Sequence, residues 1–520
     1  MFEPPMSCDL ADQPDLAVAD EATLAAEVSR WARAEAMAAS RRLAAIAELT
    51  ARRCSNDPDD RDGRSRWACD DWDGVAAEVS AGCAISHGKA SGQMYLAVAL
   101  RNRLPKVAAL LAAGRITAAL AATISWHTTL IVNPAVLALV DTALAADALR
   151  YGPLSQDKTA QAIDAIIETH DSAALRRGRI LARSRDLVVD KRSTDHGTTP
   201  LWGRLYAHDA EALDRRLMAM AHGVCDDDPR TIAQRRADAL GALAAGSQTL
   251  ACACGNQSCP AQTSADTGAD DSRTPAPGRT VIHVVAHPET VQSPTDAHRN
   301  GEESPTPPDR PDDLFAPARG PEPDPPPKTP PALVLGGPAL PAPLVAELLA
   351  RGAIVRTIGH PGPKSPPEAG YRPSTALDEF VRARDMTCRF PGCDRPAQSC
   401  DLDHAIAYPA GPTHPSNLRC LCRKHHLLKT FHHWRDRQRP DGSIEWTSPT
   451  GATYTTHPGS RLLFPSLCAS TGALPLPAAT TTARTPGHTL MMPTRSRTRA
   501  QNRARAITAE RARNAKPPPQ

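Results

Sequence analysis

The residues best suited to chemistry are concentrated between Cys388 and Lys429. The chain there reads Cys388-Arg-Phe-Pro-Gly-Cys393, then Cys400-Asp-Leu-Asp403-His404, then Asn417-Leu-Arg-Cys420-Leu-Cys422-Arg-Lys-His425-His426-Leu-Leu-Lys429. Cys388 and Cys393 flank a Pro-Gly turn. Cys422 and His425 are three residues apart, a spacing that lets both reach one ion from a helix start. Four donors in two pairs, three of them thiolates, suit a closed tetrahedral zinc site. The segment is too short to bury a self-sufficient core, so zinc would supply much of its folding free energy. Cys400 and Cys420 remain alternative ligands.

A second set of residues offers acid–base chemistry. His425 and His426 are adjacent on an expected helix and so point about 100° apart. If His425 faces the zinc, His426 faces elsewhere. Asp403-His404 lies upstream at a strand end, and Asn417 lies in the connecting loop. An Asp, a His and an Asn converging on a second His could hold a hard divalent ion beside a water-activating base.

The run Asp403-His404 … Asn417 … His426, preceded by Cys-x4-Cys and ending in Cys-x-x-His-His with a following Lys429, resembles the HNH endonuclease signature. In that superfamily it sits inside a zinc-stabilised ββα-metal (treble-clef) finger. The resemblance covers roughly 70–80 residues of the chain. The wider layout is similar to actinobacterial proteins that place a helical domain of unknown function before an HNH module. That second resemblance is carried by the Ala-rich helices, by Asp228-Pro-Arg-Thr-Ile-Ala-Gln-Arg-Arg-Ala-Asp238-Ala-Leu, and by Cys252-Ala-Cys254 … Cys259-Pro.

The resemblance implies a metal-dependent hydrolase that cleaves DNA phosphodiester bonds. His404 would be the general base for the attacking water. Asp403 and His426 would ligate one divalent ion, Mg²⁺ or another. Asn417 would orient the loop or His404, or join the metal shell. Lys429, Arg423 and Lys424 would contact DNA. Many relatives carry a further His four residues after the last motif His; here that position is Thr430. The alternative is a non-catalytic, zinc-dependent DNA-binding protein whose helical domain serves as an interaction scaffold for a protein partner.

Around this module the sequence implies an α+β multidomain chain: a mainly α-helical N-terminal domain, a disordered Pro-rich linker, and a small finger near the C-terminal end. The expected divisions are a disordered 1–19, a helical domain over 20–260, a Pro/Asp/Ser-rich linker over 261–331 with one short strand, a short α/β segment over 332–360 completing the N-terminal body, the nuclease module over 371–460, and a basic disordered tail over 461–520. Apolar periodicity near 3.6 without proline predicts helix over residues 20–55. Helix resumes from Trp72 to about Leu175, punctuated at Pro105, Gly114, Asn133-Pro134 and Gly152-Pro153. A short hairpin is expected between Leu187 and Ala207, and helix again over Asp209–Ala245. Thr280–Ala286 has strand composition, and Ala342–Gly352 reads as a short helix. After the finger, Asp441-Gly442 and Pro449-Thr-Gly451 punctuate a β-hairpin extension in which Trp434 and Trp446 serve packing. Val75–Leu100 reads as an amphipathic hairpin rather than a helix–turn–helix. Cys252, Cys254 and Cys259 lack an evident fourth ligand nearby and read as free thiols or a structural turn. His127, His170 and His208 read as structural or surface residues.

Composition bounds the class. The chain has 520 residues, 41% of them apolar but only 4% aromatic, so an aromatic-filled sandwich is disfavoured against Ala-rich helical packing. Its 50 prolines cluster in linkers and tails. No secretory signal or membrane span is legible, and a cytoplasmic setting would keep the 14 cysteines reduced, as metal ligands or thiols. From Tyr371 onward there are 22 Lys+Arg against 10 Asp+Glu, a surplus of +12 on a body of −9. A basic C-terminal third suggests a polyanionic partner.

Overall fold

A computed structural model describes residues 15–54, 63–151, 155–175, 186–190, 198–205, 207–256, 258–259, 283–295, 329–335, 337, 339–350, 352–474 and 491–514. Residues 1–14 of the expected disordered N-terminus, most of the expected 261–331 linker and residues 475–490 and 515–520 of the expected tail lie outside these. The chain divides into two compact units, one made of 1–178 with 358–520 and the other of 179–357.

The first unit opens with α1 (Glu21–Arg53), which contains neither Pro nor Gly. Asp20 caps it by accepting from the backbone N–H of Thr23 at 2.8 Å. Its buried residues Ala36, Ala39, Leu43, Ile46 and Ala47 form one stripe at helical spacing. Then follow α2 (Asp71–Cys83), α3 (His87–Asn102), α4 (Pro105–Ala112), α5 (Ala118–His127), α6 (Pro134–Tyr151) and α7 (Gln156–His170). Asp70, Ser86, Thr117 and Ser155 cap α2, α3, α5 and α7. The anticipated Pro punctuation begins α4 and α6, where a missing N–H costs nothing. Met94, Leu104, Leu111, Ile124, Leu144 and Ile163 are among the residues of one core shared by these helices.

The second unit holds a solvent-exposed antiparallel hairpin, β1 (Asp186–Val189) with β2 (Leu201–Arg204). Next come α8 (Ala207–His222) and α9 (Ile232–Ala244), then β3 (Val284–Val285), α10 (Pro288–Val291), β4 (Ala332–Val334), β5 (Ala339–Leu340) and α11 (Ala342–Ala350). The strands β3 to β5 form one antiparallel sheet in the order β3-β4-β5. The strand expected within 280–286 is thus the sheet edge β3. The boundary between the units falls inside the helical body expected over 20–260.

The chain returns to the first unit with α12 (Thr375–Asp385), β6 (Cys400–His404), β7 (Leu418–Cys422) and α13 (Arg423–Phe431). It continues through the meander β8 (Arg435–Gln438), β9 (Ile444–Thr447) and β10 (Thr453–Thr456), and ends in α14 (Arg499–Asn514). Trp434 and Trp446 are buried in its core, as the packing reading implies.

This C-terminal part is not tethered at a distance from the N-terminal helices. Helix α2 belongs to both cores: Val75, Ala76 and Val79 pack among the N-terminal helices, while Ala77 and Ala81 pack against the β6–β7–α13 module. Every residue from Asp73 to Ala81 is buried, as a helix enclosed on all sides requires. Gly74 is needed there, because a Cβ would lie 2.7 Å from Nδ1 of His432. Buried Glu78 accepts from Arg53 and, at 2.6 Å, from the Thr450 hydroxyl.

The expected free basic tail also takes a different form over 491–514. Thr494 bridges Trp67, and Arg495 N donates to Arg66 O at 2.6 Å. Arg499 donates to Asp70 and Asp73 at 2.8–3.0 Å, and Arg511 donates to Asp171 at 2.8 Å. Carboxylates on the acidic N-terminal body therefore draw in arginines that composition alone assigned to a polyanion.

Candidate functional site

Strands β6 and β7 pair antiparallel with Cys400 opposite Cys422, Asp403 opposite Arg419, and His404 opposite Leu418. Helix α13 starts directly after β7, with Cys422 as its N-cap residue. This turn brings Cys422 and His425 together with Cys388 and Cys393, and the four donor atoms lie within 4.8 Å of one another. Nδ1 of His425 is 3.4 Å from Cys388 Sγ and 3.3 Å from Cys422 Sγ. The Phe390 ring stacks on the His425 imidazole at 4.2 Å and holds its plane. Hydrogen bonds from Cys388 and Cys393 draw the Cys422 thiol far below its ordinary value, while burial pushes Cys388 up. Three soft sulfurs and one imidazole nitrogen at these separations fit a metal ion such as zinc. The alternatives lie aside: Cys400 Sγ is 3.3 Å from Pro396 O, and Cys420 is buried outside the cluster.

His426, one residue on, faces away from this cluster. Its Nδ1 is 3.0 Å from Asp401 Oδ2 and its Nε2 is 3.3 Å from Asp403 Oδ1. The other oxygen of Asp403 accepts from Arg419 at 2.8 Å and from Lys429 at 2.6 Å. Arg419 is fully buried, also pairs with Asp436, and lies over the Trp446 ring at 5.3 Å. Burial alone would raise the Asp403 carboxyl, but the neighbouring cations outweigh it and hold the carboxyl below its ordinary value.

His404 ends β6 and is buried. Its Nε2 lies 2.9 Å from Thr413 Oγ1, and Thr413 donates its single hydroxyl proton to Gly370 O at 2.6 Å. The Thr413 oxygen must therefore accept from Nε2–H. This assigns the tautomer and leaves the Nδ1 lone pair as the basic site. Burial pushes His404 below the usual histidine value, which keeps it neutral near pH 7. Tyr371 stacks on its ring at 5.2 Å.

The roles expected from the motif separate here. Asn417 is buried and spends its amide on the loop after β6: Oδ1 accepts from Ile406 N at 2.8 Å, and Nδ2 donates to Ile406 O and Pro412 O at 3.1 and 2.9 Å. Both polar atoms of its amide are thus engaged by the loop. A Cβ on Gly411 would lie 2.6 Å from that amide nitrogen, so the brace needs glycine there. Of the three expected DNA-contacting cations, one is turned inward: Lys429 lies among Asp403 and the His404 carbonyl. Lys424 and Arg423 are exposed, Lys424 donating to Asp73 at 3.0 Å and Arg423 lying 3.7 Å from Asp401. Thr413, Arg419 and Tyr371 carried no motif signal that spacing could detect.

A second cluster lies in the second unit, where Cys225, Cys252, Cys254 and Cys259 bring their sulfurs within 4.8 Å of one another. This corrects the reading of Cys252, Cys254 and Cys259 as a set with no fourth partner. The partner is Cys225, on the far side of α9 in sequence.

No helix among the described residues is long and apolar enough to cross a membrane. An uncharacterized protein of Mycobacterium tuberculosis strain H37Rv (Rv3776) is 53% identical over 525 aligned residues, covering 100% of this chain and 95% of that protein. A second from the same strain (Rv2100) is 52% identical, covering 99% of this chain and 91% of its own length. A third M. tuberculosis relative, named for its position in an est 3′ region, is 50% identical over 73% of this chain and 100% of its own. No solved structure matches the chain. A family model described as a domain of unknown function, DUF222, matches residues 30–385, ending just before Cys388, and the chain belongs to that family.

Proposed function

We propose that the β6–β7–α13 module is an HNH-type endonuclease centre in a zinc-stabilised ββα-metal finger, hydrolysing DNA phosphodiester bonds. The observation that carries the reading is His404: a buried, neutral histidine whose tautomer is set by Thr413, at the strand end beside Asp403. In this reading Nδ1 of His404 takes the proton of the attacking water, and Thr413 keeps Nε2 protonated and the ring aligned. Tyr371 shields one face of the imidazole from solvent. Asn417 holds the loop that follows the base.

Asp403 Oδ1 and His426 Nε2 face each other as one carboxylate and one imidazole donor, a pair suited to a divalent ion such as Mg²⁺ or Mn²⁺ with the remaining positions left to water and phosphate. Such an ion, when bound, would neutralise the scissile phosphate and stabilise the leaving oxygen. Asp401 orients His426 from its other nitrogen, and Lys429 and Arg419 hold the second Asp403 oxygen away from that face. Arg423 and Lys424 are exposed cations available for a backbone phosphate.

One observation favours the non-catalytic alternative: Asp403 is already neutralised by Arg419 and Lys429, which would allow the module to be stable and bind DNA without an ion. A supercoiled-plasmid assay with Mg²⁺ or Mn²⁺, beside EDTA and His404→Ala, separates the two. Ion-dependent nicks that vanish in the variant support the nuclease. Absence of cleavage on plasmid, single-stranded and branched DNA by folded, zinc-loaded protein, with DNA retained in a shift assay, supports the binding module.

A further inference from the structure

We infer that Cys225, Cys252, Cys254 and Cys259 form a second, purely structural zinc site that closes the α8–α9 region of the second unit. Zn–S bonds of about 2.3 Å place tetrahedral sulfurs about 3.8 Å apart. Here Cys225 Sγ and Cys252 Sγ are 3.3 Å apart, and all four sulfurs lie within 4.8 Å of one another. The pair is too far apart for a disulfide, whose sulfurs lie at about 2.05 Å. Four donors close a tetrahedral shell and leave no position for water or substrate, so the ion has a folding role rather than a catalytic one.

The surroundings hold the four cysteines in place. The loops that carry them are pinned by a buried polar frame. Asp228 and Arg230 are joined at 2.7–3.0 Å; the Asp228 carboxylate accepts from Ala253 N at 2.8 Å, and Arg230 donates to Ala251 O at 2.7 Å. The residues on either side of Cys252 are thus tied to the turn that follows Cys225.

The local core needs such a closure. It consists of Leu217, Met220, Val224, Ala239 and Leu250 with Cys252 and Cys259 themselves, and the segment from 250 to 256 has no helix or strand. A core this small gains little from burial alone, whereas zinc bound by four thiolates, with release of their protons to solvent, contributes folding free energy directly.

The test measures metal in the intact chain by plasma mass spectrometry, for wild type, Cys254→Ser and Cys388→Ser. The expected result is about two zinc ions per chain in wild type and about one in each variant. About one zinc in wild type, unchanged by Cys254→Ser, would overturn the inference, as would iron in place of zinc or an oxidised Cys225–Cys252 pair. Should Cys254→Ser not fold, differential alkylation of wild type decides. Cys225 and Cys254 are half-buried; protection of both until a chelator is added supports the site, and equal labelling before and after chelation overturns it. None of these readouts depends on DNA cleavage.

Discussion

In the first unit, a cysteine pair from the turn before β6 meets Cys422 at the end of β7 and His425 in the first turn of α13, backed by Phe390, Trp434 and Trp446. In the second unit, four thiols meet on loops, backed by two helices and a small aliphatic core. The first cluster lies beside an acid–base set, because the turn that points His425 at the sulfurs points His426 at Asp401 and Asp403. The second has a buried ion-pair frame beside it and, among the described residues, no histidine in its ligand set. Similar donor chemistry therefore serves different ends: in one place it fixes the geometry of a candidate active site, in the other it only holds chain segments together. The difference lies in what the neighbouring residues are free to do.

The largest effect that would sharpen this contrast is the loss of a ligand in the first cluster. Cys422→Ser should abolish the first zinc and expose the 388–431 segment to proteolysis, since structural zinc contributes roughly 10 kcal/mol or more in small zinc domains. Cys259→Ser should leave that segment protected. Proteolysis that spreads equally through both units in both variants would break the distinction.

Next in size is His404→Ala, expected to lower DNA cleavage by on the order of 10²–10⁴-fold with zinc content and circular dichroism unchanged. Cleavage that survives would remove His404 as the base. Thr413→Val should cost about tenfold, the effect of one oriented hydrogen bond, and should alter the pH profile by releasing the tautomer. A loss of folding without a change in that profile would reduce Thr413 to a packing residue.

The pH dependence has a defined sign. Burial lowers His404, so the neutral base persists below the ordinary histidine value of about 6.5, and cleavage should fall only as pH drops through that depressed value. Burial also lowers His414 and His432. Because the unfolded chain binds those protons more readily, their contribution to stability is complete above about 6.5 and is lost as pH falls toward their folded values. Thermal melts across that range should show it. The smallest expected effect is Arg499→Ala, roughly 1 kcal/mol or less of stability, because its ion pairs with Asp70 and Asp73 are partly exposed.

Local order in the sequence determined a good deal here. The Cys-x4-Cys and Cys-x-x-His spacings pair donors across single turns, whose geometry the backbone dictates, and the adjacency of His425 and His426 forces them apart by helical rotation. Pro105 and Pro134 mark helix starts for the same local reason. What spacing could not reach was any contact closed over a long stretch of chain. Cys225 joins Cys252 only because α9 turns the chain back. Lys429 points inward, and Lys424 pairs with Asp73, only because the fold brings the carboxylates Asp403 and Asp73 to them. The arginines of 495–511 meet Asp70, Asp73 and Asp171 only once the N-terminal helices and the C-terminal segment share α2. Charge and spacing name the candidates, but burial decides which partner each one meets, since a charge removed from water must find its counter-charge wherever the fold places it.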